Sequence, residues 1–257
     1  MITSSQNSKL KWIRSLLSDR KTRLSEGAFV VEGVRLVEEA LRAGWTPLLI
    51  CYSKTISARG AQIVESFTSC SAEVEEVSDR ILEAVSDTQT PQGLIAVFPI
   101  PDAESPAQPD FILILDELRD PGNLGSILRS ATAAGVQACF LTPGTADVFA
   151  PKVVRAAMGA HFHLPLFNWS WDQISPFCEQ RGLKIFLADK TGGSPYWKVD
   201  LKKPVGLVIG GEAEGAGARA RQVAHCVITI PMPGSSESLN AAVAAGVILF
   251  EVVRQRI

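Results

Sequence analysis

Two spacings of apolar residues alternate along residues 1–100. Short apolar runs in "AFVVEG", "TPLLICYS" and "GLIAVFPI" are typical of strands. After the first of these runs, apolar residues recur at helical spacing, at Val34, Val37, Ala40 and Leu41. Gly44 suits the left-handed residue that ends such a helix. Together with the helical pattern of "AQIVESFTS", these segments predict a small α/β domain.

The apolar runs after residue 110 are longer and more continuous. "FILILDEL", "QACFLTPG", "KIFLADK" and "PVGLVIGGE" predict strands that are buried on both faces. Helical patterns separate several of them, in "LGSILRSATAAG", "PKVVRAAMGA" and the closing run "AAVAAGVILFEVV". The predicted fold class is therefore α/β, with a mostly parallel sheet and helices on both faces.

A proline-rich stretch, "PIPDAESPAQPD", interrupts the pattern between the two halves. Its prolines exclude a regular helix or interior strand, and the residues between them are small or acidic. We therefore expect a smaller domain over residues 1–100, a linker over 101–109 and a larger domain over 110–257.

Composition narrows the class of protein further. The 257 residues are 46% hydrophobic and carry a net charge of −2, which excludes a wholly basic surface but not a local basic patch. The five cysteines show no metal-ligand or redox-motif spacing, and they lie at Cys51, Cys70, Cys139, Cys178 and Cys226. Neither a signal peptide nor a run of about 20 apolar residues is apparent. The sequence predicts reduced thiols, a cytoplasmic protein and no metal site.

The stretch "LDELRDPGNLGSILRSATAAGV" follows an apolar strand with a turn and a helix. Asn123 is predicted to cap a helix that starts at Leu124. Arg129 falls about 140° from the centre of the apolar stripe, so it points away from the core. An ordinary surface helix with a solvated arginine fits this pattern as well.

A glycine-rich loop follows another apolar strand in "KPVGLVIGGEAEGAGARARQ". Glycines at this place allow the backbone to approach a ligand. The spacing matches neither the dinucleotide fingerprint nor a phosphate loop. A tight turn without a ligand remains the alternative.

In the closing stretch "IPMPGSSESLNAAVAAGVILFE", a loop rich in proline, glycine and serine precedes an apolar helix. Ser235, Ser236 and Ser238 offer capping hydroxyls, and the helix is apolar nearly all round, which predicts that it is buried. A plain core helix leaves unexplained why Asn240 stands in its first turn.

In order and wording, these three stretches resemble the motifs of the SpoU (TrmH) family of RNA 2′-O-methyltransferases, part of the SPOUT superfamily, over residues 112–256. Residues 1–100 more loosely resemble the family's substrate-binding domain, in the "EG" of "AFVVEGVRL" and in "TQTPQGLIAV". The resemblance implies a homodimer and a deep trefoil knot in the larger domain. Patterning alone predicts an unknotted sheet, since chains almost never knot.

The resemblance also implies S-adenosylmethionine as cofactor. Backbone groups of Gly210, Ile230 and Leu239 match the family's cofactor positions, and Met232 and Gly215 are expected to line the same pocket.

The implied catalytic set is polar and consists of Asn123, Arg129, Glu212, Ser238 and Asn240. A guanidinium is a poor base, so we expect Arg129 to contact the ribose hydroxyl or a nearby phosphate and to stabilise developing negative charge. Asn123 is expected to orient Arg129 or the ribose, and Glu212 to bond Arg129 or the substrate. Where the family usually has Val-Ser-Val after "SLN", this chain has Ala241-Ala242-Val243, which removes one hydroxyl.

The expected partner is structured RNA, most simply ribosomal RNA. Residues 1–25 carry six cations against one anion, a balance of +5, at Lys9, Lys11, Arg14, Arg20, Lys21 and Arg23 against Asp19. Alternatives are a transfer RNA methyltransferase and a non-catalytic RNA-binding protein. A nucleotide-dependent oxidoreductase is disfavoured by the missing fingerprint.

Overall fold

The computed structural model describes residues 1–69, 72–212, 215–235 and 237–257. They form two compact units. The first contains Met1–Asp102 and Asp147–Phe162, and the second contains Ala103–Ala146 and His163–Ile257. The segment Asp147–Phe162 thus departs from the linear division expected from sequence, because it packs with the N-terminal residues.

The first unit is built on a four-stranded mixed sheet. Its strands are β1 (Ala28–Glu32), β2 (Leu49–Tyr52), β3 (Glu73–Glu76) and β4 (Leu94–Pro99), in the order β1-β4-β2-β3. β4 runs antiparallel to both neighbours, whereas β2 and β3 are parallel. The helices are α1 (Ser8–Ser18), α2 (Arg20–Glu26), α3 (Val34–Arg42), α4 (Ala58–Ser69) and α5 (Asp79–Val85). The predicted α/β alternation is confirmed.

The second unit is built on a seven-stranded sheet in the order β7-β6-β5-β10-β8-β11-β9. Its strands are β5 (Phe111–Asp116), β6 (Ala138–Leu141), β7 (Leu166–Asn168), β8 (Lys184–Ala188), β9 (Ser194–Pro195), β10 (Val205–Gly210) and β11 (Cys226–Thr229). The strand pairings between described residues are all parallel.

The helices of the later chain are α6 (Pro121–Ala133), α7 (Pro151–Ala157), α8 (Trp171–Gln180), α9 (Ala218–Val223) and α10 (Ala241–Arg256). All but α7 belong to the second unit. The predicted fold class, a parallel α/β sheet with helices, is confirmed. The trefoil knot stays a prediction, because strand order and register do not specify how the chain threads.

The segment Asp147–Phe162 contributes to the core of the first unit. Phe149 lies 5.0 Å from Phe29, ring centre to ring centre, and Phe162 lies 5.4 Å from Phe98. The buried guanidinium of Arg23 forms a 2.6 Å ion pair with Asp147. Aromatic packing and a neutralised buried charge therefore hold this segment to the N-terminal residues.

Most of the thiols lie in the two cores. Cys51, Cys139 and Cys178 are buried, and burial raises the pKa of Cys51 and of Cys178 to about 12. These three thiols and the half-buried Cys226 are unpaired, and Cys70 lies outside the described residues. Among the described helices, none has the length and apolar character needed to cross a membrane.

The carboxyl ends of the central strands lie at one edge of the larger sheet. β10 pairs with β5 and β8 at once, so Gly210 lies opposite Asp116, and Ile209 lies opposite Ala188. Because all three strands are parallel, the loops that follow them meet at the same edge. That edge is where the candidate site is found.

Candidate active site

A cavity of about 480 Å³ opens where β8, β10 and β11 end. The five residues predicted to hold a cofactor all line it, namely Gly210, Gly215, Ile230, Met232 and Leu239. Three of the predicted catalytic residues also line it, namely Glu212, Ser238 and Asn240. Ala213, Glu214 and Ser236, which belong to the same motifs, lie outside the described residues.

The glycines of the second motif are required by the path of the backbone. A Cβ atom on Gly210 would lie 2.2 Å from the Ala216 nitrogen, and one on Gly211 would lie 2.7 Å from the Glu117 carbonyl oxygen. Gly215 has a φ of 70°, which other residues rarely adopt. These glycines therefore allow segments of backbone to cross closely, which neither a tight turn nor ligand binding alone would demand.

The first-motif helix begins earlier than the sequence predicted. Asp120, not Asn123, caps α6, and its Oδ1 accepts a 2.7 Å hydrogen bond from the Asn123 N–H. The prediction was wrong because Pro121 and Gly122 were assigned to a turn, whereas proline at the first helical position is already in helical geometry. The Asn123 side chain is consequently available for another contact.

Side chains from all three motifs form one hydrogen-bonded chain. Asn123 Nδ2 donates to Glu212 Oε1 at 2.9 Å, and Asn240 Nδ2 donates to Asn123 Oδ1 at 2.8 Å. Glu212 also accepts longer bonds from the backbone N–H groups of Arg119 and Asp120, at 3.4 and 3.3 Å. Because a carboxylate only accepts, Glu212 fixes the orientation of the Asn123 side-chain amide, with Nδ2 toward Glu212 and Oδ1 toward Asn240. Asn123 in turn fixes the orientation of the Asn240 amide.

Asn240 is the N-cap of the closing helix. Its Oδ1 accepts hydrogen bonds from the N–H groups of Ala242 and Val243, at 2.9 and 3.3 Å. This explains why a polar residue stands in front of an apolar helix. The prediction that α10 is buried all round is wrong, since Val243 and Phe250 are 53% and 50% exposed.

Arg129 stands apart from the hydrogen-bonded chain. It is exposed on α6, which confirms that it points away from the core, and it forms no hydrogen bond or ion pair with the residues that the structure describes. Glu212 bonds Asn123 rather than Arg129. The guanidinium therefore keeps its donors available for a substrate.

Sequence reasoning missed Asp116, which organises the same edge of the sheet. This buried carboxylate accepts hydrogen bonds from Trp171 Nε1 at 2.7 Å, from the Gly217 N–H at 2.8 Å and from Thr142 Oγ1 at 3.0 Å. It thereby holds the end of the glycine loop to β5. An acidic residue at the end of an apolar strand was the available signal.

Two further charged side chains of the cavity were also missed. Asp189, directly after β8, and Arg221, on α9, both line the cavity and form an ion pair with 2.5 Å between Oδ2 and Nη1. Lys190 and Glu212 are the other charged residues among the described part of the lining. The cavity thus combines apolar walls, backbone groups and two charges of each sign, which suits an organic ligand that carries both.

Comparison with family models matches residues 110–250 to the SpoU rRNA Methylase family and residues 7–96 to the MRM3-like substrate binding domain. The Bacillus subtilis 23S rRNA (guanosine(2553)-2'-O)-methyltransferase RlmP is 32% identical, and the match covers 98% of each chain. The Streptomyces viridochromogenes 23S rRNA (uridine(2479)-2'-O)-methyltransferase is 33% identical, over 99% of this chain and 92% of that protein.

Among solved structures, the SpoU methyltransferase AviRb from Streptomyces viridochromogenes, in complex with AdoMet, superposes with a TM-score of 0.90 at 30% identity, over 98% of each chain. The family inferred from three short motifs is confirmed by a family model that covers more than half of the chain and by relatives matched along nearly its whole length. This chain belongs to the SpoU rRNA methylase family.

Proposed function

We propose that this protein transfers a methyl group from S-adenosylmethionine to a ribose 2′-hydroxyl of ribosomal RNA. The observation that carries the proposal is the hydrogen-bonded chain of Glu212, Asn123 and Asn240, which joins the three motifs beside one cavity. Relatives of this chain that match both of its halves are named as enzymes that act on 23S rRNA.

The cavity fits the cofactor in size and chemistry. Its volume of about 480 Å³ lies within the roughly 300–1,000 Å³ of small-molecule sites. Gly210, Ile230 and Leu239 line it, and we assign the contacts with the cofactor to their backbone groups; Met232 also lines it and adds an apolar side chain. When bound there, S-adenosylmethionine supplies an electrophilic methyl group on a sulfonium. The protein's own task is to hold that group and to aim the ribose hydroxyl at it.

Arg129 performs the electrostatic part of the reaction. The ribose hydroxyl releases its proton to solvent as it takes up the methyl group, and S-adenosylhomocysteine would be the second product. Negative charge meanwhile develops on the ribose oxygen, and a nearby guanidinium stabilises that charge without giving up a proton. Asn123 and Asn240, held in order by Glu212, position the ribose or the loops around it. Ser238 lines the cavity beside them.

RNA phosphates are bound by the basic N-terminal segment, although fewer of its cations are available than the sequence suggested. Lys9 forms ion pairs with Glu73 and Glu75, and Arg23 is buried against Asp147. The remaining cations of this segment are Lys11, Arg14, Arg20 and Lys21. We assign the phosphate contacts to these four, which makes RNA binding sensitive to salt.

The protein acts as a homodimer through an exposed face of α10. Val243 and Phe250 lie two helical turns apart and are both about half exposed, so they share one face of the helix. Between them Gly246 leaves open space where a side chain would stand. A small-residue apolar face suits close packing against a second copy.

The unpaired state of the four described thiols supports the expected cytoplasmic location.

The test compares total RNA from cells with and without the gene. We expect one ribosomal RNA ribose to lose its 2′-O-methyl group in the deletion and to regain it when the purified protein and S-adenosylmethionine are added to that RNA. Loss of a transfer RNA methyl group would overturn the substrate assignment while keeping the enzyme class. Identical methylation maps would overturn the enzyme.

A further inference from the structure

Arg221, on α9 just after the glycine-rich loop, lines the cavity proposed to hold the cofactor. Its side chain is 46% exposed and folds back over the loop that precedes α9. Nε donates to the Ala216 carbonyl oxygen at 3.2 Å, and Nη1 lies 2.5 Å from Asp189 Oδ2. The guanidinium is therefore fixed at two of its three nitrogens.

Asp189 is a rigid anchor for that guanidinium. Its side chain is 7% exposed, its carboxylate accepts a 3.1 Å hydrogen bond from the Thr191 N–H, and its own N–H donates to the Ile228 carbonyl oxygen at 3.0 Å. Burial alone would raise the pKa of Asp189, but the Thr191 N–H and the Arg221 guanidinium outweigh it, and the pKa lies below its usual value. The anchor is ionised at neutral pH.

The third nitrogen of Arg221, Nη2, lies beside Gly215, which has no side chain. A Cβ atom on Gly215 would lie 3.3 Å from Nη2, so the glycine leaves room beside it. A guanidinium has five N–H donors; the Nε donor is used by the Ala216 carbonyl oxygen, and Nη1 is held beside Asp189 by the ion pair. Donors consequently remain for a ligand.

The other charged residues of the cavity are less suited to bind an anion. Glu212 carries the wrong charge and is engaged by Asn123. Lys190 is a cation that lines the cavity, but it is exposed and sits on a flexible stem. A held guanidinium loses less conformational freedom on binding a carboxylate than a free ammonium does.

We propose that Arg221 binds the α-carboxylate of S-adenosylmethionine, the one anionic group of that molecule, and that Asp189 is the positioning residue for Arg221. The inference rests on the proposed function, because it takes this cavity to be the cofactor site. A charge-assisted pair between a guanidinium and a carboxylate gives both affinity and orientation to the amino-acid end of the cofactor.

Calorimetric titration of the full chain, without RNA, tests this contact with two ligands. S-adenosylmethionine has the carboxylate, whereas its decarboxylated analogue keeps the sulfonium and the amine. For Arg221→Met we expect the Kd of S-adenosylmethionine to rise about 10- to 100-fold and that of the analogue to change less than about threefold. Asp189→Asn should show the same ligand preference with a smaller loss.

Arg219→Met is the matched control, since Arg219 lies on the same helix and is 48% exposed, and Lys190→Met tests the competing cation. Arg221→Lys keeps the charge and serves as a second variant in case Arg221→Met misfolds. Equal weakening of both ligands would assign Arg221 a purely structural role and overturn the proposal, as would unchanged binding. A wild-type protein that binds neither ligand would overturn the proposed function itself.

Discussion

Helices α6 and α10 each carry an asparagine of the site in or before the first turn, but they use it differently. In α6 the cap is Asp120, so the Asn123 side chain is free to bond Glu212. In α10 the cap is Asn240 itself, whose Oδ1 holds the helix while its Nδ2 donates to Asn123. In α6 one residue caps the helix and another joins the hydrogen bonds of the site. In α10 the side chain of Asn240 does both.

The outward faces of the two helices differ as well. α6 presents Arg129, a cation that has no partner among the described residues, whereas α10 presents Val243 and Phe250. The first face suits an anionic substrate and the second suits an apolar partner. Substitutions on the two helices should therefore have separate effects on the methylation rate, on self-association and on the free energy of unfolding.

The largest effect is expected from Arg129→Ala on α6. Losing the group that stabilises developing charge should lower the single-turnover methylation rate about 10²- to 10³-fold. The melting temperature should hardly change, because the side chain is exposed. Arg219→Ala, an exposed arginine of the same unit, is the control and should keep near-normal activity. A rate for Arg129→Ala within threefold of wild type would remove Arg129 from the mechanism.

Phe250→Glu on α10 should weaken self-association about 100-fold or more, because it places a charge in an apolar interface. Sedimentation velocity over a range of protein concentrations measures the change. Leu24→Glu is the matched control, since Leu24 is 55% exposed but lies in the other unit. A Phe250→Glu protein that remains dimeric would mean that this face of α10 does not form the interface.

Asn240→Ala should affect both folding and activity. We expect a loss of about 1 kcal/mol in the free energy of unfolding from the missing cap and a roughly tenfold lower methylation rate from the missing bond to Asn123. Asn240→Asp separates the two, since aspartate caps equally well but cannot donate to Asn123. Urea unfolding and rate measurements on both variants check this, and equal stability losses in the two would contradict it.

The smallest effect on folding is expected from Asn123→Ala. The rate should fall about tenfold, while the free energy of unfolding should change by less than about 0.5 kcal/mol, because Asp120 still caps α6. Asp120→Ala should show the reverse, losing about 1 kcal/mol of stability. If Asn123→Ala destabilised the protein as much as Asp120→Ala, the contrast between the two helices would not hold.

The start of α6 shows which local signals a sequence leaves unresolved. Asp120 and Asn123 are equally good capping types, and Asp120-Pro121-Gly122-Asn123 also suits a turn, so composition did not decide between them. The observed cap is the one that frees Asn123 for Glu212, a residue far away in the sequence. Long-range contacts of this kind carry no local signature.

The parallel sheet was predictable because its central strands are continuously apolar, as in β5 and β10. The exposed face of α10 was not, because hydrophobicity specifies that a surface is covered but not whether this chain or a second copy covers it. Arg221 escaped notice for a related reason. Its ion pair with Asp189, a residue distant in the sequence, and its place in the cavity arise from the fold and have no local signature.

The segment Asp147–Phe162 limits how far the two halves of this protein are separable as evolutionary or engineering modules. A fragment that ended at Asp102 would remove Asp147, the ion-pair partner of Arg23, and removing one partner of a buried ion pair costs about 3–5 kcal/mol. It would also remove the contact of Phe29 with Phe149 and that of Phe98 with Phe162. A chimera that exchanges the N-terminal half between family members would have to transplant residues 147–162 with it.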